Sequence, residues 1–167
     1  ANGYARLEDS YEPDYYRMAM FRQQGQIANI LDKAASVQIV FECKPQRYLK
    51  TGDIPIEITQ MGEFIQVYNH TNQVALPEII IDGVDISVTF LSGDEPQPDK
   101  DTRLDISFTG EGTIDSELQD CYNQTSFLNS QVSLTNGFPK LYPGVNHIRV
   151  TGTTLNSFKI KPRWWTL

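Results

Sequence analysis

Cysteine, histidine and long apolar runs are all scarce in this sequence of 167 residues, which contains two cysteines and two histidines. Cys43 and Cys121 lie far apart and outside any CxxC motif, so we expect no zinc site or redox motif, and both are predicted to be free, half-buried thiols. No apolar run approaches the roughly 20 residues of a membrane span. A chain of this length buries enough surface to fold without a metal or a disulfide.

Positive charge is also limited. The chain has 14 lysine and arginine residues against 21 aspartate and glutamate residues, which gives a formal charge of −7. Each sign occurs seven times in residues 1–55, so the acidic excess falls entirely in residues 56–167. Because an acidic surface repels phosphate backbones, a nucleic-acid partner is not expected.

The first third of the chain shows mixed hydrophobic periods. Gln26–Ala35 places apolar residues at helical spacing, which predicts a short amphipathic helix. Apolar residues then alternate over Val37–Cys43, which predicts a strand that ends at Pro45. With a strand or extended segment before the helix, the order is strand, helix, strand. A unit of this size leaves an apolar face without a partner, so residues 1–53 are interpreted as a partial α+β segment.

From position 54 onward, short apolar or alternating runs are separated by turn residues. This pattern predicts an antiparallel β-sandwich of the jelly-roll type for residues 54–167. Asp82-Gly83 is predicted to form a tight hairpin turn, and the acidic stretch Gly93–Thr102 a mobile loop. The predicted strands are Ile54–Thr59, Phe64–Tyr68, Glu78–Ile81, Val84–Leu91, Leu104–Thr109, Gln131–Thr135, Asn146–Thr151 and Ser157–Lys161.

Several side chains are candidates for chemistry, and each has a simpler interpretation. A crowded set of carboxylates resembles the pair that glycosidases use, but closeness in sequence does not set their separation across a cleft. His70 and His147 have no adjacent serine or cysteine motif, and the acidic loop lacks the Asp-x-Asp-x-Asp-Gly spacing of a calcium site. We therefore predict no catalytic, cofactor-binding or metal-binding residues. The carboxylates considered are Glu111, Asp115, Glu117 and Asp120.

The C-terminal segment is basic and aromatic. Residues 149–167 carry four positive charges and no negative charge, and they include Trp164 and Trp165. A basic last strand can pair with acidic neighbours in the same sandwich. For the tryptophans two interpretations stay open: one ring in the core with the other at its rim, or an exposed platform for a sugar or a protein.

Five short segments, spread in order along nearly the whole chain, form a further pattern. They are Tyr11-Glu12-Pro13-Asp14-Tyr15-Tyr16-Arg17, Cys43-Lys44-Pro45-Gln46-Arg47-Tyr48, Ile114-Asp115-Ser116-Glu117, Phe138-Pro139-x-Leu141-x-Pro143-Gly144-x-Asn146 and Lys161-Pro162-Arg163-Trp164-Trp165. In this order they resemble the C-terminal two-thirds of the distal tail protein of long-tailed, siphovirus-type phages and prophages of Gram-positive bacteria.

The resemblance implies a structural protein of the virion and no enzyme: a hub or adaptor at the phage tail tip or baseplate. Proteins of this family form a hexameric ring, and each subunit carries a galectin-like β-sandwich. The implied partners are the tail tube protein, the tail-associated lysin or fibre, and the receptor-binding protein, with no nucleic acid, membrane or cofactor. The implied location is the virion, after assembly in the host cytoplasm.

The family has a longer stretch before the first of these segments than the ten residues found here. Residues 1–53 are therefore expected to be the remnant of a ring-forming domain, left by truncation, proteolysis or gene decay, that packs on the sandwich or on a second copy. Residues 54–167 are expected to form the galectin-like domain. The alternative function is a carbohydrate-binding module that recognises host cell-wall polysaccharide, although local motifs do not assemble the His, Asn, Arg and Trp cluster of galectin sugar sites.

Overall fold

A computed structural model describes residues 3–22, 27–31, 34–37 and 39–167. About 55% of the residues lie in strands, and the antiparallel sheets form the predicted sandwich; its galectin-like subtype stays a prediction. No helix in the described ranges is long and apolar enough to cross a membrane. In chain order the strands are β1 (Ala5–Leu7), β2 (Tyr15–Arg22), β3 (Ile27–Leu31), β4 (Ala34–Val37), β5 (Val40–Leu49), β6 (Ile56–Glu57), β7 (Phe64–Asn69), β8 (Glu78–Val84), β9 (Ile86–Ser92), β10 (Thr102–Ile106), β11 (Gly110–Asp115), β12 (Asp120–Tyr122), β13 (Val132–Thr135), β14 (Gly144–Thr151), β15 (Thr154–Lys161) and β16 (Trp165–Thr166).

Two five-stranded antiparallel sheets form the sandwich around one core. Their strand orders are β13-β10-β9-β14-β7 and β12-β11-β8-β15-β6. Buried and half-buried positions alternate along β9 and β15 because successive side chains point to opposite faces of a sheet. Val88, Phe158 and Ile160 are each at most 1% exposed, and each such side chain stabilises the fold by about 1.5–3 kcal/mol relative to an exposed one.

A separate four-stranded sheet, in the order β1-β2-β5-β16, links the N-terminal segment to residues that follow the sandwich. The end of β5 pairs with β16, the Leu49 amide donates to the Trp164 carbonyl at 2.9 Å, and the Arg163 amide donates to the Gly52 carbonyl at 2.9 Å. We call this contact, between residues 47–53 and 163–166, the seam. Its existence places the N-terminal segment against the sandwich, while the origin of that segment as a ring-domain remnant stays a prediction.

The helix predicted at Gln26–Ala35 is wrong for the residues that the structure describes. β3 and β4 are antiparallel strands that pair with each other, with an irregularity between Asn29 and Leu31; positions 26, 32 and 33 lie outside the described residues. A helix of about ten residues is marginal in water unless a packed apolar face supports it, and a short apolar run fits a strand equally well. In its described part the predicted α+β segment therefore consists of strands and one short 3-10 helix, Lys50–Asp53.

The strand predicted over Val37–Cys43 is shifted. Val37 belongs to β4, position 38 lies outside the described residues, and β5 runs on through Pro45 to Leu49. The register of β5 against β2 slips between Cys43 and Arg47. Pro45 lies in this bulge, where its missing N–H removes no ladder hydrogen bond, so the proline does not end the strand.

The hairpin predicted at Asp82-Gly83 is also wrong. Both residues lie within β8, and β8 and β9 belong to opposite sheets. The chain instead crosses between the layers at Asp85, whose φ is 51°. Gly83 serves close packing, because a Cβ there would lie 2.5 Å from the Thr154 carbonyl oxygen.

The acidic loop between β9 and β10 is tied down by hydrogen bonds. The Asp101 carboxylate accepts from the amides of Ser92 at 3.0 Å and Gln97 at 2.8 Å. The Asn136 side chain donates to the Pro98 carbonyl at 2.6 Å and to the Asp101 carbonyl at 2.7 Å. These bonds hold the loop backbone in the conformation described. The mobility predicted from the sequence is a separate property that the structure does not test.

Replacing Gly52 with alanine should destabilise the seam. A Cβ at position 52 would overlap the backbone nitrogen of Trp164 and lie 3.0 Å from the carbonyl carbon of Arg163, and backbone atoms cannot rotate away. Overpacking of this kind costs about 1–3 kcal/mol, so the midpoint of urea unfolding should fall. Gly137→Ala is the control because that glycine has φ 78° but open space around it. A smaller loss for Gly52→Ala than for the control would contradict this account of the seam.

Candidate functional site

A row of aromatic side chains crosses the N-terminal sheet towards the seam. Tyr16 of β2 lies opposite Tyr48 of β5, and Tyr48 lies opposite Trp165 of β16. Residues directly opposite each other share one face of a sheet, and the rings of Tyr16 and Tyr48 stack with their centroids 5.3 Å apart. The indole Nε1 of Trp165 donates to the Val74 carbonyl at 2.9 Å, which fixes this ring against the sandwich.

Arg163 lies at the centre of the charged side of the seam. Its Nη1 and Nη2 donate to the two oxygens of Asp115, both at 2.8 Å, and Nη2 also donates to Glu78 at 2.6 Å. Glu117 lies 3.5 Å from Nη1, and Lys161 pairs with the other oxygen of Glu78 at 2.7 Å. The basic last strand therefore pairs with acidic residues of the same sandwich, one of the arrangements expected from the sequence.

Burial makes this ion pair unusual. The Asp115 side chain is 3% exposed and that of Arg163 is 20% exposed. Burial would raise the pKa of Asp115, but the hydrogen bonds from Arg163 and from backbone amides hold that pKa below its ordinary value. Burial would lower the pKa of Arg163, but Asp115, Glu78 and Glu117 raise it overall. Both groups therefore stay charged and paired at neutral pH.

The backbone of Arg163 also carries strain. Its φ is 56°, in the left-handed region that costs a residue with a Cβ roughly 1–2 kcal/mol. This conformation sends the backbone N–H to Gly52 while the side chain reaches Asp115. One residue therefore connects the N-terminal sheet to the acidic part of the sandwich.

Two buried asparagines shape the loops that face the seam. Asn69 donates to the carbonyls of Gln73 at 2.8 Å and Leu141 at 3.0 Å. Asn146 accepts from the Tyr142 amide at 2.9 Å and donates to the Tyr142 carbonyl at 2.8 Å. Buried amides satisfied in this way hold a turn in one conformation. The asparagine of the Pro-Gly-x-Asn element, Asn146, therefore fixes the turn in which Tyr142 lies.

A cavity of about 390 Å³ opens between these loops and the seam. This volume is within the range of small-molecule binding pockets. Three aromatic rings and several polar groups line it, together with Val74, Leu76 and Lys140. Its main lining residues are Gln46, Tyr48, Glu117, Tyr142, Arg163 and Trp165. Lining residues come from four of the five segments that carry the family resemblance, so segments far apart in sequence meet here.

The four carboxylates considered as catalytic candidates do not form a free pair. Asp115 and Glu117 both form ion pairs with Arg163. Asp120 accepts from the Asn129 side chain at 2.8 Å, and Glu111 is exposed on β11 opposite Asp82. The structure therefore does not bring two of these carboxylates together as an unpaired couple across a cleft, the arrangement that glycoside hydrolysis uses.

The histidines and cysteines form no nucleophilic site within the described residues. His147 Nε2 lies 3.2 Å from a carboxylate oxygen of Asp94. His70 is exposed, and its ring packs edge-on against that of Trp164 with the ring centroids 5.8 Å apart. Burial raises the pKa of the Cys121 thiol to about 11, with Asp120 adding to the effect, which makes it a poor nucleophile. Both cysteines are free, but Cys121 is fully buried and Cys43 is exposed, so neither is half-buried as expected.

The two tryptophans agree with the first of the two interpretations, one ring in the core and the other at its rim. Trp164 is 5% exposed and belongs to the core, whereas Trp165 is half-buried at the rim and lines the cavity. Gln46, Tyr48, Lys140 and Tyr142 were not identified as site residues from the sequence. All four lie within the family-like segments, and this position could have identified them as site residues. No group of three or more potential metal ligands occurs in the described ranges.

Comparison with known proteins yields a match of fold. No protein-family model matches the sequence, and no curated protein matches it. The chain is similar in structure to the SPP1 Dit (gp 19.1) protein, whose crystal structure is presented as a paradigm of the hub adsorption apparatus in phages that infect Gram-positive bacteria. The TM-score is 0.65 at 14% sequence identity, over 100% of this chain and 66% of that one. This chain therefore has the fold of the corresponding part of that hub protein.

Replacing Arg163 with methionine should cost about 3–5 kcal/mol of unfolding free energy, because it leaves the buried carboxylate of Asp115 unpaired. Urea unfolding at neutral pH measures the loss. The control is Arg103→Met, since the pair of Arg103 and Asp105 is 58% and 49% exposed and surface pairs contribute at most about 1 kcal/mol. Equal losses for the two variants would contradict the central role of Arg163.

Proposed function

We propose that this chain is a structural component of a phage tail tip, a hub or adaptor that connects the tail tube to the tail-associated lysin and the receptor-binding components. The observation that carries the proposal is the structural likeness to the SPP1 hub protein, which extends over the whole of this chain. The order of the five family-like segments supports the same assignment independently of the fold comparison. The work of such a protein is docking.

The absence of a reaction centre among the described residues is consistent with this role. The acidic candidates are ion-paired, exposed or hydrogen-bonded to an amide, and the buried thiol is protonated at neutral pH. We therefore propose that the chain has no enzymatic activity of its own. Its location is then the virion, reached after assembly in the host cytoplasm.

Exposed aromatic residues supply surfaces for docking. Phe21 and Phe41 are 58% and 45% exposed at the far end of β2 and β5 and contact each other edge-on with centroids 6.1 Å apart. On the sandwich, Phe64 and Tyr68 of the edge strand β7 are 43% and 64% exposed. Aromatic residues at such positions are typical of the buried centres of interfaces. We assign the first pair to contacts between copies and the second to other tail proteins.

Self-association through the N-terminal sheet should be visible in solution. Light scattering should give a mass well above the 19.0 kDa of one chain, and six copies if the ring contacts are complete. Phe41→Lys should reduce the mass to that of one chain, because a charge replaces an apolar contact. Phe127→Lys is the control, since Phe127 is 73% exposed on the sandwich. A single-chain mass for the unchanged protein would contradict self-association.

Location at the tail tip can be tested on phage particles. Mass spectrometry of purified tailed particles that carry this gene should detect its peptides, and gold-labelled antibodies against the chain should bind at the distal end of the tail. Label on the capsid or along the tail tube, or peptides found only in the soluble lysate, would contradict the proposed function.

A second candidate function, recognition of cell-wall polysaccharide, is favoured by one feature. Trp165 and two tyrosines line a cavity of suitable size, although Trp164 is too deeply buried to stack on a sugar. Binding of this kind is compatible with a tail-tip hub, because adsorption brings the tail tip to the cell wall.

A further inference from the structure

The docking role leaves polar groups of the cavity unexplained. Gln46 has a buried side-chain oxygen with no hydrogen-bond partner, and Lys140, exposed at the cavity wall, pairs with no carboxylate in the part of the chain that the structure describes. A buried acceptor without a donor costs about 1–3 kcal/mol. Gln46 lines the cavity, and a glutamine amide carries both an acceptor and donors. The wall therefore offers one acceptor and one donor to a ligand.

We propose that this cavity binds a neutral hexopyranose unit of a polysaccharide. A pyranose has an apolar C–H face and a rim of hydroxyl groups that both donate and accept. The rings of Tyr48, Tyr142 and Trp165 provide apolar surface for the face, and Gln46 and Lys140 provide complementary partners for the hydroxyls. The proposal rests on the second candidate function and is independent of the location of the chain in the virion.

The charges around the cavity select a neutral sugar over an anionic polymer. Arg163 lines the wall, but it is paired with Asp115, Glu78 and Glu117. Together with Lys161, which pairs with Glu78, and with Lys140, the positive groups here only equal the negative ones in number. The chain as a whole carries a charge of −7. A polymer of glycerol phosphate would meet no excess of positive charge in the site and would be repelled by the acidic surface.

A sugar also fits the cavity better than an apolar side chain from a partner protein. A leucine or phenylalanine would fill part of the volume but would leave Gln46 Oε1 without a donor and would bury the Lys140 and Glu117 charges. Desolvating such groups without replacing their hydrogen bonds is unfavourable. A hexose ring satisfies the same groups, since each hydroxyl can act as donor or acceptor.

The binding test uses the full chain and simple sugars. Saturation-transfer NMR and calorimetry with methyl glucoside, methyl galactoside and N-acetylglucosamine should show binding of at least one of them, with glycerol phosphate as the anionic comparison. Absence of binding by all three sugars at about 10 mM, roughly ten times a weak dissociation constant of ~1 mM, would overturn the proposal. So would binding of glycerol phosphate in their place.

Two variants locate the site. Lys140→Ala removes the donor of a charge-assisted hydrogen bond, and Tyr142→Ala removes an aromatic ring that packs on the sugar face. Each should lower the association constant about tenfold. Tyr68→Ala is the matched control, since Tyr68 is an exposed tyrosine on β7 that does not line the cavity. Near-ultraviolet circular dichroism checks that each variant is folded.

The pattern of losses decides the location. Loss with Lys140→Ala and Tyr142→Ala but not with Tyr68→Ala supports the cavity. Unchanged binding in Lys140→Ala, or an equal loss in Tyr68→Ala, overturns it. Because the labelling of phage particles reports on location alone, failure of sugar binding leaves the tail-tip function standing, and failure of the labelling leaves the sugar site standing.

Discussion

The ion pair between Arg163 and Asp115 is the interaction on which the site depends. It is buried, doubly hydrogen-bonded and joined by Glu78, so neither partner can lose its charge without leaving the other unpaired. The same arginine holds Gly52 through its backbone. The position of the N-terminal sheet, the aromatic row and this wall of the cavity all follow from where this residue is fixed.

Strand pairing in the sandwich explains why acidic and basic residues are separated along the sequence. Acidic residues dominate after position 55, yet the last part of the chain is basic. In the structure Lys159 pairs with Glu57 at 3.1 Å, and Lys161 and Arg163 pair with Glu78. Opposite charges on neighbouring strands favour this strand order over others.

The sequence allowed the sandwich to be predicted where apolar and polar residues alternate, as in β7, β9, β14 and β15. The strands β11 and β12 were missed because glycines and acidic residues interrupt their alternation, and β16 was missed because it has two residues. The pairing of the basic last strand with acidic neighbours was foreseen in general terms. The cavity was not predicted, because segments that are distant in sequence form it together. Hydrophobic periodicity gives information on local structure only.

The seam joins residues that are very distant along the chain: Arg47 donates to the carbonyl of Leu167 across a separation of 120 positions. Contacts of such high order form late in folding. During vectorial synthesis β5 emerges from the ribosome long before β16, and in that interval it presents a bare strand edge. A neighbouring nascent copy can pair its own β16 with this edge. The topology therefore permits domain swapping, in which two copies exchange the last strand and become interlinked.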